Sequence, residues 1–340
     1  TNGEDFASWT FRKAPKFFTC LTYTGNGVAG RTVSHDLGST PGMIIVKKTS
    51  SSTNSNWIVY HKDITASSYG KLNSTDAFTT SFAQYYWGNG TSTVNPTSTE
   101  FTVGDTSNLN GSGETYVAYL FAHNDGDGGF GPDGDADIIK CGSYVGSGTS
   151  GQYIDVGFEP QWVLVKAANA TSNWTLVDTM RGMSYNGSNV LSDRLIPSSS
   201  GAEGQIEGFG PTATGWYTGT RGDADSDNNG TTYIYIAIRR GPLAQPESGT
   251  EVFDITSFSS SEASTTNRPD VLLWRQSLTG TASNEIMSKL TNTIMTTDSS
   301  AAEYAATGTY AVEMLNSGVK LGSSWVNFPW ALSFTRAPGF

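Results

Sequence analysis

The chain has little charge, few cysteines and no long apolar run, and each shortage excludes a class of protein. Charged residues make up 15% of the 340 residues, and the net charge of −11 is not offset by any basic cluster. A nucleic-acid partner is therefore not expected. No stretch of 18 apolar residues occurs, so no membrane insertion is expected.

The two cysteines are too few for a disulfide framework. Cys20 and Cys141 follow Phe18-Thr19 and Ile139-Lys140, and they hold the same place in two successive repeats. Equivalent positions in separate modules are usually far apart. We therefore expect two small buried apolar side chains rather than a bonded pair.

Motifs that carry catalysis are also missing. The sequence has no Gly-x-Ser-x-Gly elbow, phosphate-binding loop or dinucleotide fingerprint. Its three histidines, His35, His61 and His123, lack the usual zinc-ligand spacing. Nothing marks a pair of carboxylates of the kind a glycosidase needs. We expect a protein that is not an enzyme, and we assign no catalytic residue.

Glycine, serine, threonine and asparagine are abundant, and aromatic residues make up 12% of the chain. This mixture favours many short strands joined by turns, and so an all-β fold. The chain also repeats itself, and its ends carry the same motif. Phe11-Arg12-Lys13-Ala14-Pro15-Lys16-Phe17 resembles Phe334-Thr335-Arg336-Ala337-Pro338-Gly339-Phe340. Matching ends are expected of a window cut from a longer tandem array.

Four features recur along the chain in the same order. A strand leads into a Gly-x-Gly turn, a proline precedes an apolar strand, an Asn-Trp pair opens another strand, and an Asn/Gly-rich turn precedes a closing strand. The apolar runs indicate central strands that are covered on both faces. Trp57 and Trp174 are interpreted as core anchors rather than ligand-stacking rings, because equivalent placement favours the interior. The copies are Cys20–Gly27 and Cys141–Gly148; Pro41–Lys47, Pro160–Lys166 and Pro269–Arg275; Asn56–His61 and Asn173–Asp178; and Tyr116–Phe121 and Tyr233–Ile238.

These features predict tandem β-sandwich modules, because each repeat has the length of a sandwich of about seven short strands. The predicted parts are a closing strand of a preceding unit at 1–17, unit one at 18–123, a Gly/Asp linker at 124–136, unit two at 137–241 and a divergent unit three at 252–340. The closing strand is placed at Phe6–Phe11. Residues 283–290 fit either a short amphipathic helix or a strand.

The chain resembles a module found repeatedly in structural proteins of tailed bacteriophages, particularly marine ones. The resemblance is carried by Trp9–Phe18, Tyr23–Gly27, Pro41–Lys47, Tyr116–His123 and Gly157–Lys166. It implies a tail-fibre or other virion-surface protein with jelly-roll or lectin-like sandwiches. It further implies contacts with other virion proteins and a homo-oligomer, of which a trimer is favoured. It brings no catalytic residues, and the third unit departs from it.

Two acidic segments suggest calcium, because alternating carboxylates in a tight loop can supply the oxygen ligands of a hard cation. The first is a loop in unit two, and the second is the linker between units one and two. The alternatives are a solvated hairpin loop and a flexible acidic linker. The candidate ligands are Asp223, Asp225, Asp227 and Asn229 in the loop, and Asp125, Asp127, Asp133 and Asp135 in the linker.

The resulting hypothesis is a module array of a phage tail fibre or surface appendage that contributes to attachment to host-surface glycans. A string of carbohydrate-binding modules on a bacterial surface or secreted protein is the second hypothesis, and a glycan depolymerase is the third. The aromatic run Tyr85, Tyr86 and Trp87 is the candidate ligand-binding site, because exposed rings stack on sugars. An exposed groove at these rings would favour the second hypothesis.

Overall fold

A computed structural model describes most of the chain, and its fold is all-β. No α-helix occurs in the described residues, which contain strands β1–β25 and two 3-10 turns, Ala83–Tyr85 and Gly249–Glu251. Within those residues there is also no helix long and apolar enough to cross a membrane. The described ranges are 8–51, 55–64, 67–149, 151–183, 191–219, 223–241, 248–257, 262–265, 269–275, 284–288, 293–297, 304–305, 312–315, 318–321 and 331–335.

The first repeat pairs a five-stranded antiparallel sheet with a two-stranded ladder. The sheet has the order β1-β7-β3-β4-β5, and the ladder joins β2 to β6. The last strand of this repeat, β7, therefore lies between β1 and β3. The strands are β1 (Phe18–Thr24), β2 (Arg31–Ser34), β3 (Met43–Lys48), β4 (Ile58–His61), β5 (Gly70–Lys71), β6 (Glu100–Val103) and β7 (Thr115–Phe121).

The second repeat has the same plan with two additional strands. Its main sheet has the order β13-β12-β11-β10-β16-β8, and its smaller sheet has the order β14-β15-β9. The closing strand β16 again lies between the first strand and the strand that follows the proline. The strands are β8 (Ile139–Val145), β9 (Tyr153–Asp155), β10 (Pro160–Ala167), β11 (Thr175–Asp178), β12 (Leu191–Leu195), β13 (Gly204–Glu207), β14 (Gly210–Pro211), β15 (Gly215–Tyr217) and β16 (Thr232–Arg239).

The third repeat keeps the strand order although its sequence diverges. Its main sheet runs β17-β25-β19-β20-β21-β22, and its second sheet runs β18-β24-β23. The closing strand β25 pairs with both β17 and β19. The strands are β17 (Phe253–Thr256), β18 (Glu262–Ser264), β19 (Val271–Arg275), β20 (Asn284–Ser288), β21 (Thr293–Thr296), β22 (Tyr304–Ala305), β23 (Val312–Leu315), β24 (Gly318–Leu321) and β25 (Ala331–Phe334).

The chain divides into two compact units. One contains residues 1–128 and 139–142, and the other contains 129–138 and 143–340. The second and third repeats therefore belong to one compact unit, whereas the sequence predicts three separate sandwich units. In that unit Arg240, which follows β16, forms an ion pair with Asp270 just before β19. The same guanidinium lies 3.7 Å from Glu159 Oε1.

Aromatic side chains fill the space between the two sheets of each of the first two repeats. In the first, the rings of Tyr23, Trp87 and Phe101 contact one another in series. In the second, Trp216 lies edge-on to Tyr235, with 4.8 Å between ring centroids. Burial of large apolar side chains is the main term that stabilises such a core.

Several sequence predictions need correction. Residues 8–13 form no strand, so the closing strand predicted at Phe6–Phe11 is wrong over its described part, and residues 6–7 lie outside the described residues. The Phe11 ring instead packs on Phe18 and Phe121, at 5.5 and 5.8 Å between centroids. This segment therefore covers one end of the first repeat. The helix predicted at 283–290 is also wrong, and the strand alternative is confirmed by β20.

The predictions for cysteine and tryptophan are confirmed in part. Both cysteines are free, but only Cys141 is buried, whereas Cys20 is half-exposed. Trp174 is 1% exposed, as expected of a core anchor. Trp57 is half-buried and stacks on Tyr119. The position equivalent to Tyr119 in the second repeat holds an aliphatic residue, Ile236.

Candidate ligand-binding and cation-binding sites

In each of the first two repeats, a pair of stacked tyrosines holds the loop that precedes the closing strand. We call residues 105–114 and 223–231 the closing loops. Tyr23 and Tyr116 stack with centroids 5.1 Å apart, and Tyr144 and Tyr233 do so at 5.2 Å. The first ring of each pair donates its hydroxyl to a closing-loop carbonyl at 2.7 Å, that of Leu109 or its counterpart Ser226 in the second repeat.

The second tyrosine of each pair holds the same loop from its other side. The Tyr116 hydroxyl donates to Ser107 O and accepts from Gly111 N. The Tyr233 hydroxyl makes the equivalent contacts with Ala224 O and Asn228 N. Burial raises the pKa of Tyr233 to about 12. These hydroxyls therefore stay protonated and act as structural donors at neutral pH.

A fully buried side chain in each closing loop then fastens the Gly-x-Gly turn. In the first repeat this residue is Asn110, which is 0% exposed. Its Oδ1 accepts from Asn26 N at 2.9 Å. Its Nδ2 donates to Asn26 Oδ1, Val28 O and Gly104 O at 3.0, 2.9 and 2.8 Å. The amide is thus satisfied on both of its polar atoms.

Asp227 holds the same place in the second repeat, six residues before the stacked tyrosine of the closing strand. It is also 0% exposed. Its carboxylate accepts from Ser147 N at 2.7 Å, and from Gly148 N and Ser147 Oγ at 3.3 Å each. The acidic residue therefore performs the acceptor role of Asn110, with hydrogen bonds strengthened by its charge.

Asp225 likewise corresponds to an amide in the first repeat. Asn108 Oδ1 accepts from Asn56 N at 3.1 Å, and Asp225 Oδ1 accepts from Asn173 N at 2.7 Å. The second oxygen of Asp225, Oδ2, accepts a hydrogen bond from Arg194 Nη1 at 3.1 Å. A guanidinium that compensates the buried carboxylate occupies the direction from which a cation would approach.

The carboxylates of this loop do not converge on one point. Asp223 accepts from Asp225 N and Ser226 Oγ within its own loop, while Asp225 and Asp227 are directed at two other segments. Asn229 is exposed at the tip. The hypothesis that Asp223, Asp225, Asp227 and Asn229 gather around calcium is therefore wrong in this geometry. Throughout the described ranges, no group of three or more His, Cys, Asp or Glu side chains is placed to hold a metal ion.

The four candidate aspartates of the acidic linker are exposed, and the backbone of Asp127 accepts from Lys16 Nζ at 2.7 Å. Asp125 lies 3.0 Å from Lys140 Nζ, and Asp127 Oδ1 accepts from Asp125 N. Asp133 and Asp135 are exposed on the surface. The Lys140 ammonium holds the pKa of Asp125 below its usual range. Calcium binding by these four residues stays a prediction.

All three histidines use Nδ1 as a hydrogen-bond acceptor for a backbone N–H. His35 accepts from Leu37 at 3.3 Å, His61 from Asp63 at 3.3 Å and His123 from Cys141 at 3.2 Å. Burial lowers the pKa of His35 and of His123. A neutral ring is required for these contacts, because a protonated imidazole has no acceptor.

The aromatic run at 85–87 is divided between the core and the surface. Trp87 is 1% exposed and lies edge-on to Tyr60, so its role in an exposed ligand platform is wrong. Tyr86 stacks on Tyr69, with centroids 3.6 Å apart. Tyr85 is half-exposed, and its ring lies 6.3 Å from that of Phe82, which is 68% exposed.

The family model described as Domain of unknown function (DUF7483) matches residues 8–242 of the chain. The chain belongs to this family. The matched range spans both repeats that carry the tyrosine pair and the closing-loop clamp, and it stops before the third repeat. It also includes the segment around Phe11. Neither the curated proteins nor the solved structures give a match.

Sequence reasoning missed the two features that organise these sites. The tyrosine pair did leave a signal, since Tyr23 and Tyr144 each stand two residues before the first glycine of the Gly-x-Gly turn. Alignment of the two closing loops would also have placed Asp227 opposite Asn110. The exposure of Phe82 left no signal, because it depends on a left-handed backbone at that residue.

Proposed function

We propose that the chain is a non-enzymatic structural module array of a virion surface appendage, such as the tail fibre of a tailed bacteriophage. The observation that carries this proposal is the repetition of one fastening device in successive modules. In both repeats a tyrosine pair and a buried amide or carboxylate bind the chain to itself. The polar side chains buried there hold the segments of each repeat together, as expected of a structural spacer.

The second repeat gives further support, because its buried charges are also used for fastening. Lys166 is 0% exposed and donates to Ala167 O at 2.9 Å and to Ser172 Oγ at 3.2 Å. The carboxylate of Asp178 accepts from Met180 N and from Arg181 Nε. Each charge is satisfied within its own repeat and stabilises a local turn.

The assignment to a phage rests on the motif resemblance of the first two repeats. With it come the proposals that the chain assembles as a homo-oligomer, with a trimer favoured, contacts other virion proteins and faces host-surface glycans outside the cell. The carbohydrate-binding string is the second candidate. It is favoured by one observation, the half-exposed Tyr85 beside the exposed Phe82 ring.

Immunogold electron microscopy tests the main proposal. Antibodies raised against the intact chain are applied to virus particles and to cell envelopes purified from the same source culture, with pre-immune serum as the control. Labelling on fibres or other appendages of the particles is expected. Labelling confined to cell envelopes or to secreted material would refute the proposal and support the second candidate.

A further inference from the structure

Phe82 combines two properties that folding alone does not explain. Its φ of 62° lies in the left-handed region, where a bulky side chain is strained. Its ring is 68% exposed, the largest exposure among the large apolar side chains of the described residues. The strained backbone is therefore not compensated by burial of the ring, and such outliers mark functional positions.

The loop that carries Phe82 is rigid. Tyr86 O accepts from Gly104 N at 2.9 Å, and Tyr85 O accepts from Thr106 N at 3.3 Å. A Cβ at Gly104 would overlap the carbonyl of Tyr85, and one at Gly88 would overlap that of Ser92. The backbone of β6 and of the following turn therefore presses directly on the loop. The backbone that carries Tyr85 is therefore held before any ligand arrives, which lowers the entropic cost of binding.

The segment that carries the two rings is polar and has no charged residue of its own. Residues 77–99 contain no Asp, Glu, Lys, Arg or His. The Gln84 side chain and the Nδ2 group of Asn89 make no hydrogen bond to the described part of the chain. Asn89 Oδ1 is meanwhile fixed by Thr91 N and Ser92 N, at 3.0 and 2.8 Å. Aromatic rings and amide donors on one short segment are the components of a sugar-binding subsite.

We propose that Phe82 and Tyr85, with the amides of Gln84 and Asn89, form a binding site for a pyranose ring of a neutral glycan. The proposal deepens the function above and rests on it, because it names the ligand class of the appendage. The C–H face of the sugar packs on the rings, and its hydroxyls pair with the amides. A neutral glycan is favoured over an acidic one, because residues 77–99 hold no cation and the chain carries a net charge of −11.

Comparison with the second repeat shows that the fold does not need this loop. After β4 the first repeat contains β5, which pairs with β4, and then the turn with Ala83–Tyr85. After β11 the second repeat contains β12, which likewise pairs with β11, and then β13, which pairs with β12. Loops that change while the sheets persist are where binding functions are placed.

A glycan array tests the site with the intact chain. The probes are neutral glucans, galactans and mannans, with sialylated and sulfated glycans as acidic counterparts. The best-bound neutral oligosaccharide is then titrated by calorimetry against Phe82→Gly, Tyr85→Ala and Tyr153→Ala. Tyr153 is the matched control, because it is an exposed aromatic residue of the second repeat. We expect at least tenfold weaker binding for the first two variants and unchanged binding for the control.

Thermal melting separates binding from folding. Glycine accepts the left-handed backbone, so Phe82→Gly should melt at or above the wild-type temperature while it loses the glycan. Four results would each overturn the site: no neutral glycan retained at millimolar concentration, preference for acidic glycans, binding kept by Phe82→Gly, or a lower melting temperature for that variant. The assay uses no virus particles. Glycan binding without labelled particles would therefore refute only the appendage proposal.

Discussion

Replacing Asn110 with aspartate is the sharpest test of how the closing loops are fastened. The change is nearly isosteric, but it removes both donors of the Nδ2 group. A carboxylate oxygen would then face Asn26 Oδ1, Val28 O and Gly104 O at the present separations of 3.0, 2.9 and 2.8 Å. The site is 0% exposed, so water cannot relieve the repulsion.

The expected cost is about 3 to 5 kcal/mol, the range for a buried charge left without a partner. The matched control is Asn108→Asp in the same loop. Asn108 uses its Oδ1 to accept from Asn56 N, and its counterpart in the second repeat is already Asp225. We expect that control to cost less than about 1 kcal/mol, since a carboxylate keeps the acceptor.

Hydrogen–deuterium exchange of the intact chain measures both variants. A loss of about 3 kcal/mol raises exchange through local opening more than a hundredfold. Peptides covering β1 and β7 should show this acceleration in Asn110→Asp, while peptides covering β16 serve as the internal reference. Equal protection in the two variants would contradict the role of the Asn110 amide. Restoration of protection by calcium would show that carboxylates in this loop do recruit a cation.

Three further predictions follow from the same contacts. Because burial lowers the folded-state pKa of His35 and His123, the stability they confer is present above the unfolded pKa of about 6.5 and is lost as pH falls below it towards the lowered folded values. Protection factors, corrected for the pH dependence of intrinsic amide exchange, should therefore fall between pH 7 and pH 5 in the first repeat. An equal fall in the second repeat, which has no histidine, would contradict this. Gly25→Ala and Gly146→Ala should each destabilise their repeat by about 2 kcal/mol or more, since the new Cβ would overlap a closing-loop carbonyl; urea unfolding followed by tryptophan fluorescence measures this, and wild-type midpoints would refute it. Millimolar calcium should leave hydrogen–deuterium exchange of the closing loop at 223–231 unchanged, because protein donors already satisfy Asp225 and Asp227; slower exchange of that loop with calcium would contradict this.

The central apolar strands could be predicted from sequence because they depend on short-range patterns. Pro41, Pro160 and Pro269 each precede an apolar run, and each run forms the strand next to the closing strand. The third repeat keeps this order although its Gly-x-Gly turn is missing. Apolar periodicity therefore specifies the sheet even where turn chemistry has diverged.

The candidate sites could not be predicted in the same way, because side-chain direction decides them. Asp223, Asp225 and Asp227 alternate along the chain, which suggests convergence, yet the loop turns each carboxylate towards a different partner. Similarly, Trp87 follows Tyr85 by only two residues, but the 3-10 turn at 83–85 sends it into the core. Spacing in the sequence does not encode these rotations.

The two repeats together separate residues that maintain the fold from residues that are available for function. Some positions make the same contacts in both copies, such as Tyr23 with Tyr144 and Asn110 with Asp227. These contacts hold the fold together, and they explain the residues at these positions whether they are neutral or charged. An acidic residue with an amide counterpart in the sister repeat is therefore poor support for a metal site. Phe82 is the opposite case. Its backbone is strained and its side chain is exposed, and the described part of the second repeat shows no equivalent residue. Neither packing nor repetition accounts for its conformation, and this is the ground on which we propose a ligand there.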